Sequence, residues 1–267
     1  MNLKSLFRWN PKNKPIINQL ARFLRPTAVL IREYFLISKP AAKISLRNLA
    51  SYTAGEETLK SLILGVDYLY CAGVEGEIAE FGTGTGATSK TILRALGNMA
   101  YLNPTPIRLH LFDSFQGLPA ATSSVDKESP HVIAGVWGAG TCKDLSKDQL
   151  IRECSKILPK ERFVVYEGWF NETLPTISKE VKFGMIHLDC DLYQSTLDAL
   201  DYCFLNNIVS EGAVLLFDDW NCNKSAPQYG ARKAWQNMVE KYSISFSDDG
   251  NYSWGCHKFI VHSYTNP

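Results

Sequence analysis

Four aspartates stand in two pairs, in the stretches HLDCDLY (187–193) and LLFDDW (215–220). Each pair closes a short apolar run, the pattern of a buried strand. Strand ends of a parallel sheet converge at its carboxyl edge, where ligands bind. Asp189 and Asp191 are two residues apart, so on a continued strand they face one side. Asp218 and Asp219 end the next run. Four carboxylates gathered there repel one another unless a cation sits among them. An oxygen-only donor set suits Mg²⁺. His187 is expected in the core or behind the ligands rather than among them. The alternative is that the aspartates cap helices and bind water.

The second chemical stretch is EFGTGTGATSKTI (80–92). Its glycines allow a tight turn, and the helix that follows points free N–H groups at a ligand. The spacing formally allows a dinucleotide site, and it also fits a purely structural turn. Glu80 argues against a pyrophosphate, because a carboxylate two residues before Gly82 would repel it. S-adenosylmethionine (SAM) carries a sulfonium and an ammonium and no phosphate, so it tolerates an acidic neighbour. Asp113, at the end of the next strand in LHLFDSFQGLP, is placed to take ribose hydroxyls. Its other reading is a turn or cap residue.

These groups need a scaffold. From Gly76 onward, apolar runs at 77–81, 107–112, 162–168, 183–189 and 212–219 alternate with helical patterns at 88–96, 146–158 and 195–205. Ser146 and Gln149 have capping-box spacing. That alternation predicts a parallel sheet covered on both faces. After a helix near 229–242, the runs 243–247 and 254–263 flank DDGNY, a hairpin signal. Residues 56–71 have apolar positions at helical spacing and should pack on the sheet. The Ser-, Gly- and Pro-rich stretch 118–145, with His131 and Trp137, reads either as a flap over an acceptor or as an ordinary surface loop.

The chain has 267 residues and a net charge of +1, so no global field argues for nucleic acid. The balance is uneven: residues 1–50 hold ten Lys or Arg and a single acid, Glu33. They read as basic helices separated by Pro26 and Pro40. Two expectations compete for this segment: a cap or dimerisation element, and a peripheral contact with an anionic membrane surface. The seven cysteines include no CxxC pair and are expected to be reduced, in a cytoplasmic protein. The stretch PTAVLIREYFLI is broken by Arg32 and Glu33 and is too short to span a bilayer.

Five strings together carry a resemblance: GEIAEFGTGTGATS, LFDSFQGLP, EGWFNETLP, IHLDCDLYQSTLDAL and LLFDDWN followed by YGARKAW. Over about residues 50–262 the chain resembles the macrocin O-methyltransferase family, whose members are SAM- and Mg²⁺-dependent. The family's first motif usually carries an arginine that is absent here. The resemblance implies a Rossmann-like class I methyltransferase fold, with a seven-stranded, mostly parallel sheet and a C-terminal antiparallel hairpin. It would occupy residues 51–267, after a helical extension at 1–50. It implies Asp189, Asp218 and Asp219 as metal ligands and Asp191 as general base. SAM would be lined by Glu80, Phe81, Gly82, Thr83, Gly84 and Thr85. Asp113, Ser114, Phe115, Gln116 and Gly117 would follow, then Gly168, Asn171 and Asp189, with Tyr52 and Thr53 as a weaker match.

The implied reaction is methylation of a sugar or glycan hydroxyl on a small molecule, with a homo-oligomer in view and no nucleic-acid partner. A catechol-type O-methyltransferase uses the same metal logic. An NAD-dependent oxidoreductase is a further alternative, although no Tyr-xxx-Lys pair lies near the sheet edge. A non-catalytic binding module is a third, against which the presence of all four aspartates argues.

Overall fold

The computed structural model describes residues 46–99 and 106–266, with side chains described from residue 55 onward. The basic segment before residue 46 lies outside the described residues. The chain divides into two units at Ser51, and Tyr52–Pro267 forms one compact unit.

Helix α1 (Leu46–Ala72) is followed by β1 (Glu77–Phe81), α2 (Ala87–Met99), β2 (Leu109–Asp113), α3 (Ser124–Lys127) and α4 (Pro130–Ile133). Then come α5 (Lys147–Ser155), β3 (Phe163–Glu167), α6 (Phe170–Thr173), β4 (Phe183–Leu188), α7 (Tyr193–Leu205) and β5 (Val209–Phe217). Helix α8 (Gly230–Tyr242) and strands β6 (Ser245–Asn251) and β7 (His257–Ser263) complete the fold. One seven-stranded sheet runs in the order β3-β2-β1-β4-β5-β7-β6. The pairs among β1 to β5 are parallel, and β7 is antiparallel to both β5 and β6. This is the Rossmann-like class I methyltransferase arrangement.

Strand alternation divides the core between the two faces. Ala79, Phe81, Ile186, Leu188, Leu215 and Phe217 pack against Leu200, Phe204, Trp235 and Met238 of α7 and α8. Ile78, Met185, Val214 and Leu216 meet Leu62, Val66 and Leu69 of α1, with Ile92 and Leu96 of α2. The apolar spacing of 56–71 therefore does pack on the sheet. All six residues of β4 are buried, as a central parallel strand requires. Strand order reverses between β1 and β4, and the connections leave to opposite faces. A crevice opens there at the carboxyl edge.

Two sequence expectations need correction. DDGNY is not the hairpin turn: Asp248 to Asn251 lie within β6, where a register shift accommodates Gly250 at φ +79°. A bulge absorbs the turn-forming residues, and the chain reverses at 252–256 instead. The alternation placing Asp189 and Asp191 on one strand face also fails. Strand β4 ends at Leu188, and Asp191 sits in the left-handed region at φ +58°. The Leu192 N–H donates to the Cys190 carbonyl at 2.5 Å across it. A tight turn, not a strand pleat, aims Asp191.

No helix among the described residues is long and apolar enough to cross a membrane. All seven cysteines are free.

Candidate active site

Backbone hydrogen bonds extend the sheet past its strand ends and stitch the carboxyl-edge loops together. Gly82 N–H donates to the Phe112 carbonyl (2.9 Å), Asp189 N–H to the Phe81 carbonyl (2.9 Å) and Asp218 N–H to the Leu188 carbonyl (2.9 Å). Gly82 has φ +87°, and a Cβ there would collide with the Asp189 carbonyl oxygen. The first glycine is thus required by the β4 loop as much as by any ligand. Gly82→Ala combines left-handed strain of about 1–2 kcal/mol with overpacking of about 1–3 kcal/mol. Its melting temperature should fall by roughly 5–15 °C. An unchanged melting curve would show that the two loops can separate freely. Gly86 serves packing instead, since its missing Cβ makes room for the Leu150 side chain of α5.

Asp113 organises the next loop. Its carboxylate accepts from Thr83 N–H (2.8 Å), Thr83 Oγ1 (2.8 Å) and Phe115 N–H (2.7 Å), and its own carbonyl accepts from Gly168 N–H (3.0 Å). The β1, β2 and β3 loops meet at this residue. They enclose one side of a cavity of about 560 Å³, within the range of small-molecule and cofactor sites.

The expected site residues divide cleanly. Gly82, Thr83, Gly84, Thr85, Asp113, Ser114, Gly117, Gly168, Asn171, Asp189 and Asp191 line the cavity. Glu80, Phe81, Phe115, Gln116 and the expected metal ligands Asp218 and Asp219 do not, and each departure has a reason. Asp218 and Asp219 lie behind the wall, against Cys256 and Cys222. Glu80 is fully buried behind the glycine turn, where it accepts from Ser89 Oγ and from His187 Nδ1 (3.2 Å). Strand register makes Glu80 and His187 neighbours on one face. Phe81 stacks on Phe112 with ring centroids 4.8 Å apart and supports Phe170, which does line the cavity. Phe115 is buried among the α1–α2 residues, and Gln116 points to solvent. Tyr52 and Thr53 fall within α1, but their side chains lie outside the described residues.

Around the aspartates the electrostatics are strained. Burial raises the Asp189 carboxyl well above its ordinary range, with added repulsion from Asp218, Asp219, Asp191 and Glu80. Burial and the Asp191 and Asp218 charges do the same to Asp219. Asp191 is raised to about 6 by burial and by Asp218. Asp219 Oδ2 accepts from Asp191 N–H at 3.2 Å, which ties the β4 and β5 loops. Thiols surround the group: Cys256 Sγ donates to Asp218 Oδ1 (3.1 Å) and Cys222 Sγ to Asp219 Oδ1 (3.5 Å). For His187, burial lowers the pKa, but the hydrogen bond and charge of Glu80, with Asp218, raise it on balance. It lies beneath the aspartates in the core, as expected.

A profile described as Macrocin-O-methyltransferase (TylF) matches residues 40–245. The chain belongs to this family. As a macrocin-O-methyltransferase relative, it is an O-methyltransferase, and the oxidoreductase and binding-module alternatives fall away. A Streptomyces olivaceus protein, 8-demethyl-8-(2,3-dimethoxy-alpha-L-rhamnosyl)-tetracenomycin-C 4'-O-methyltransferase, is 29% identical over 198 residues, 69% of each chain. Among solved structures, the O-methyltransferase NovP superposes with a TM-score of 0.61 at 22% identity, over 78% of this chain and 80% of NovP. The calicheamicin methyltransferase CalS11 gives 0.59 at 18% identity, over 97% and 96%. These likenesses establish the shared fold.

Within this macrocin-O-methyltransferase chain, sequence reasoning missed several wall residues. Asp126, Cys142, Asp144 and Asp198 also line the cavity. No local pattern marks them, because a folded crossing of the 118–145 segment brings the first three in. That segment is not a featureless loop. It carries α3 and α4, and it closes on itself through Leu118 N–H to the Thr141 carbonyl (2.8 Å) and Gly140 N–H to the Leu118 carbonyl (2.9 Å).

Proposed function

We propose that this O-methyltransferase moves the methyl group of SAM to a sugar hydroxyl of a glycosylated small molecule, with a divalent cation, Mg²⁺ by donor type, at the aspartate cluster. The carrying observation is the juxtaposition of a glycine-turn cavity with Asp189, Asp191, Asp218 and Asp219 at one sheet edge. Asp113, Asp126, Asp144, Asp189, Asp191 and Asp198 line the cavity, and among the described residues no Lys or Arg does. Such walls favour a sulfonium and repel a pyrophosphate.

The cation reading meets a mixed fit. The donors are hard carboxylate oxygens, and their mutual repulsion is what a cation relieves. Yet among the described residues no three His, Cys, Asp or Glu side chains already converge as a cation site. Asp189, Asp218 and Asp219 would hold the ion after the side chains of Asp218 and Asp219 leave their thiol donors. When bound, it supplies positive charge that acidifies a neighbouring hydroxyl.

The chain's own residues then do three things. The Gly82–Thr85 turn and Asp113 hold the methyl donor in place, so the in-line displacement becomes chiefly a matter of proximity. Asp191 takes the proton of the attacking hydroxyl. The walls from 118–126 and 168–171 narrow access of water. The sugar preference rests on the relatives: one is named for 4'-O-methylation of a rhamnosyl tetracenomycin, and another is described as a calicheamicin methyltransferase. Screening isotope-labelled SAM against vicinal-diol glycosides and catechols, with Mg²⁺ present, tests it. Label in a sugar ether is the expected result, and transfer confined to catechols would refute it.

Asp113→Ala should weaken SAM by about 1–3 kcal/mol, measured by calorimetry, through loss of a ribose partner. Thr83→Val provides the comparison, because it removes only the hydroxyl donor and leaves the Asp113 carboxylate facing the cavity. Equal losses in both variants would assign Asp113 to holding the loop and not to the ligand.

A further inference from the structure

Helix α7 begins directly after Asp191, yet its N-cap is Leu192, which has no side chain able to cap. The first N–H groups of a buried helix must find acceptors elsewhere. They find Asp126. Its Oδ1 accepts from Tyr193 N–H (2.8 Å) and its Oδ2 from Gln194 N–H (3.1 Å). Oδ2 also accepts from Ser123 Oγ (2.8 Å), and Ser123 Oγ in turn accepts from Asp126 N–H (3.0 Å). The carboxylate is 1% exposed, so its geometry is fixed on all sides. A residue 67 positions away thus caps the helix in place of the local residue.

The same segment makes a second buried tie. His131 N–H donates to Asn223 Oδ1 (3.0 Å), and Asn223 N–H donates to His131 Nδ1 (3.0 Å). Asn223 is 1% exposed and follows Asp219 by four residues. The 123–131 stretch therefore braces both aspartate loops, one through α7 and one through Asn223.

We infer that Asp126 is a positioning residue for the methyl transfer: by capping α7 from the 118–145 segment, it holds the strained turn that aims Asp191. The turn at φ +58° stores strain and persists only where its surroundings over-determine it. On its C-terminal side Leu192 leads straight into the amides that Asp126 grips. Without that grip, α7 frays at its first turn, Asp191 relaxes, and the proton acceptor leaves its place. This rests on the reading of Asp191 as proton acceptor.

The test compares variants of the full chain by kcat, KM and SAM calorimetry. Asp126→Ala should lower kcat by about 10–100-fold, the usual effect of losing an orienting partner, with SAM affinity within about twofold of wild type. Asp126→Asn keeps one acceptor oxygen for the two amides and turns an NH₂ toward the other donor, so it should recover only part of that loss. Asp126→Ser, also with one acceptor, should likewise fall between alanine and wild type and serves if the alanine variant does not fold. In an Asp191→Asn background, Asp126→Ala should add less than about threefold, since residues acting as a unit are not additive.

Three results overturn the inference on its own. One is an alanine variant that loses only thermal stability and keeps its kcat. Another is asparagine and serine variants both as slow as alanine, since each keeps one acceptor for the α7 amides. The last is a full additional loss on top of a slow Asp191→Asn, which leaves the Asp191 reading standing. A normal rate in Asp191→Asn alone refutes that reading and carries this inference with it.

Discussion

Asp191→Asn is expected to slow methyl transfer by about 10²–10⁴-fold, the usual worth of a positioned base, with SAM affinity unchanged. The substitution isolates basicity for a structural reason. Asp191 occupies the left-handed region, and Asn is the side chain that tolerates it best after glycine. The Asp191 N–H that reaches Asp219 belongs to the backbone and survives the change. The turn and its tie to the β5 loop should therefore persist, and only the proton acceptor is lost. Single-turnover rates at saturating SAM measure the effect directly. A variant within about fivefold of wild type would hand the proton to water or to another group.

The second large effect is metal removal. Dialysis against a chelator should cut turnover by about 10³-fold or more, since charge stabilisation by a cation is worth several kcal/mol. SAM binding should be largely spared, because the glycine turn and Asp113 belong to other strands. Thermal stability offers an independent readout. Burial and mutual repulsion raise Asp189 and Asp219 well above the ordinary carboxylate range. A cation that binds only the folded state should raise the melting temperature as its concentration climbs above its Kd. Full turnover in metal-free protein, or a melting curve blind to Mg²⁺, would remove the ion from the site.

What was legible in the sequence was whatever depends on local period and on strand ends. The runs MIHL and VLLF show little polar alternation because both faces of a parallel sheet are covered, and runs of this kind spaced between helical patterns predict the five parallel strands. The glycine turn, Asp113 and the two aspartate pairs were visible because strand ends of such a sheet must meet at one edge. Glu80 shows the limit of that logic. It was read as facing the ligand, but the pleat turns it to the α2 face, into Ser89 and His187. Sequence order does not say which of two faces a strand residue takes when both are buried.

The remainder was decided by tertiary structure alone. DDGNY carries every residue of a turn, yet pairing with β7 draws it into a bulged strand, because cross-strand hydrogen bonds outweigh a local preference. Asp189 and Asp191 share the site through a left-handed turn that no spacing rule encodes. Asp126 and Asn223 look like ordinary loop polar residues. They act only because folding brings them against the α7 amides and His131, contacts that span 67 and 92 positions. The sequence by itself determined the sheet, its order of chemistry and the edge where the acids gather, since these follow from periodicity. Only the fold decided which acid faces the cavity, which caps a helix and which is buried behind it. A carboxylate's role is set by its neighbours, and those neighbours come from distant parts of the chain.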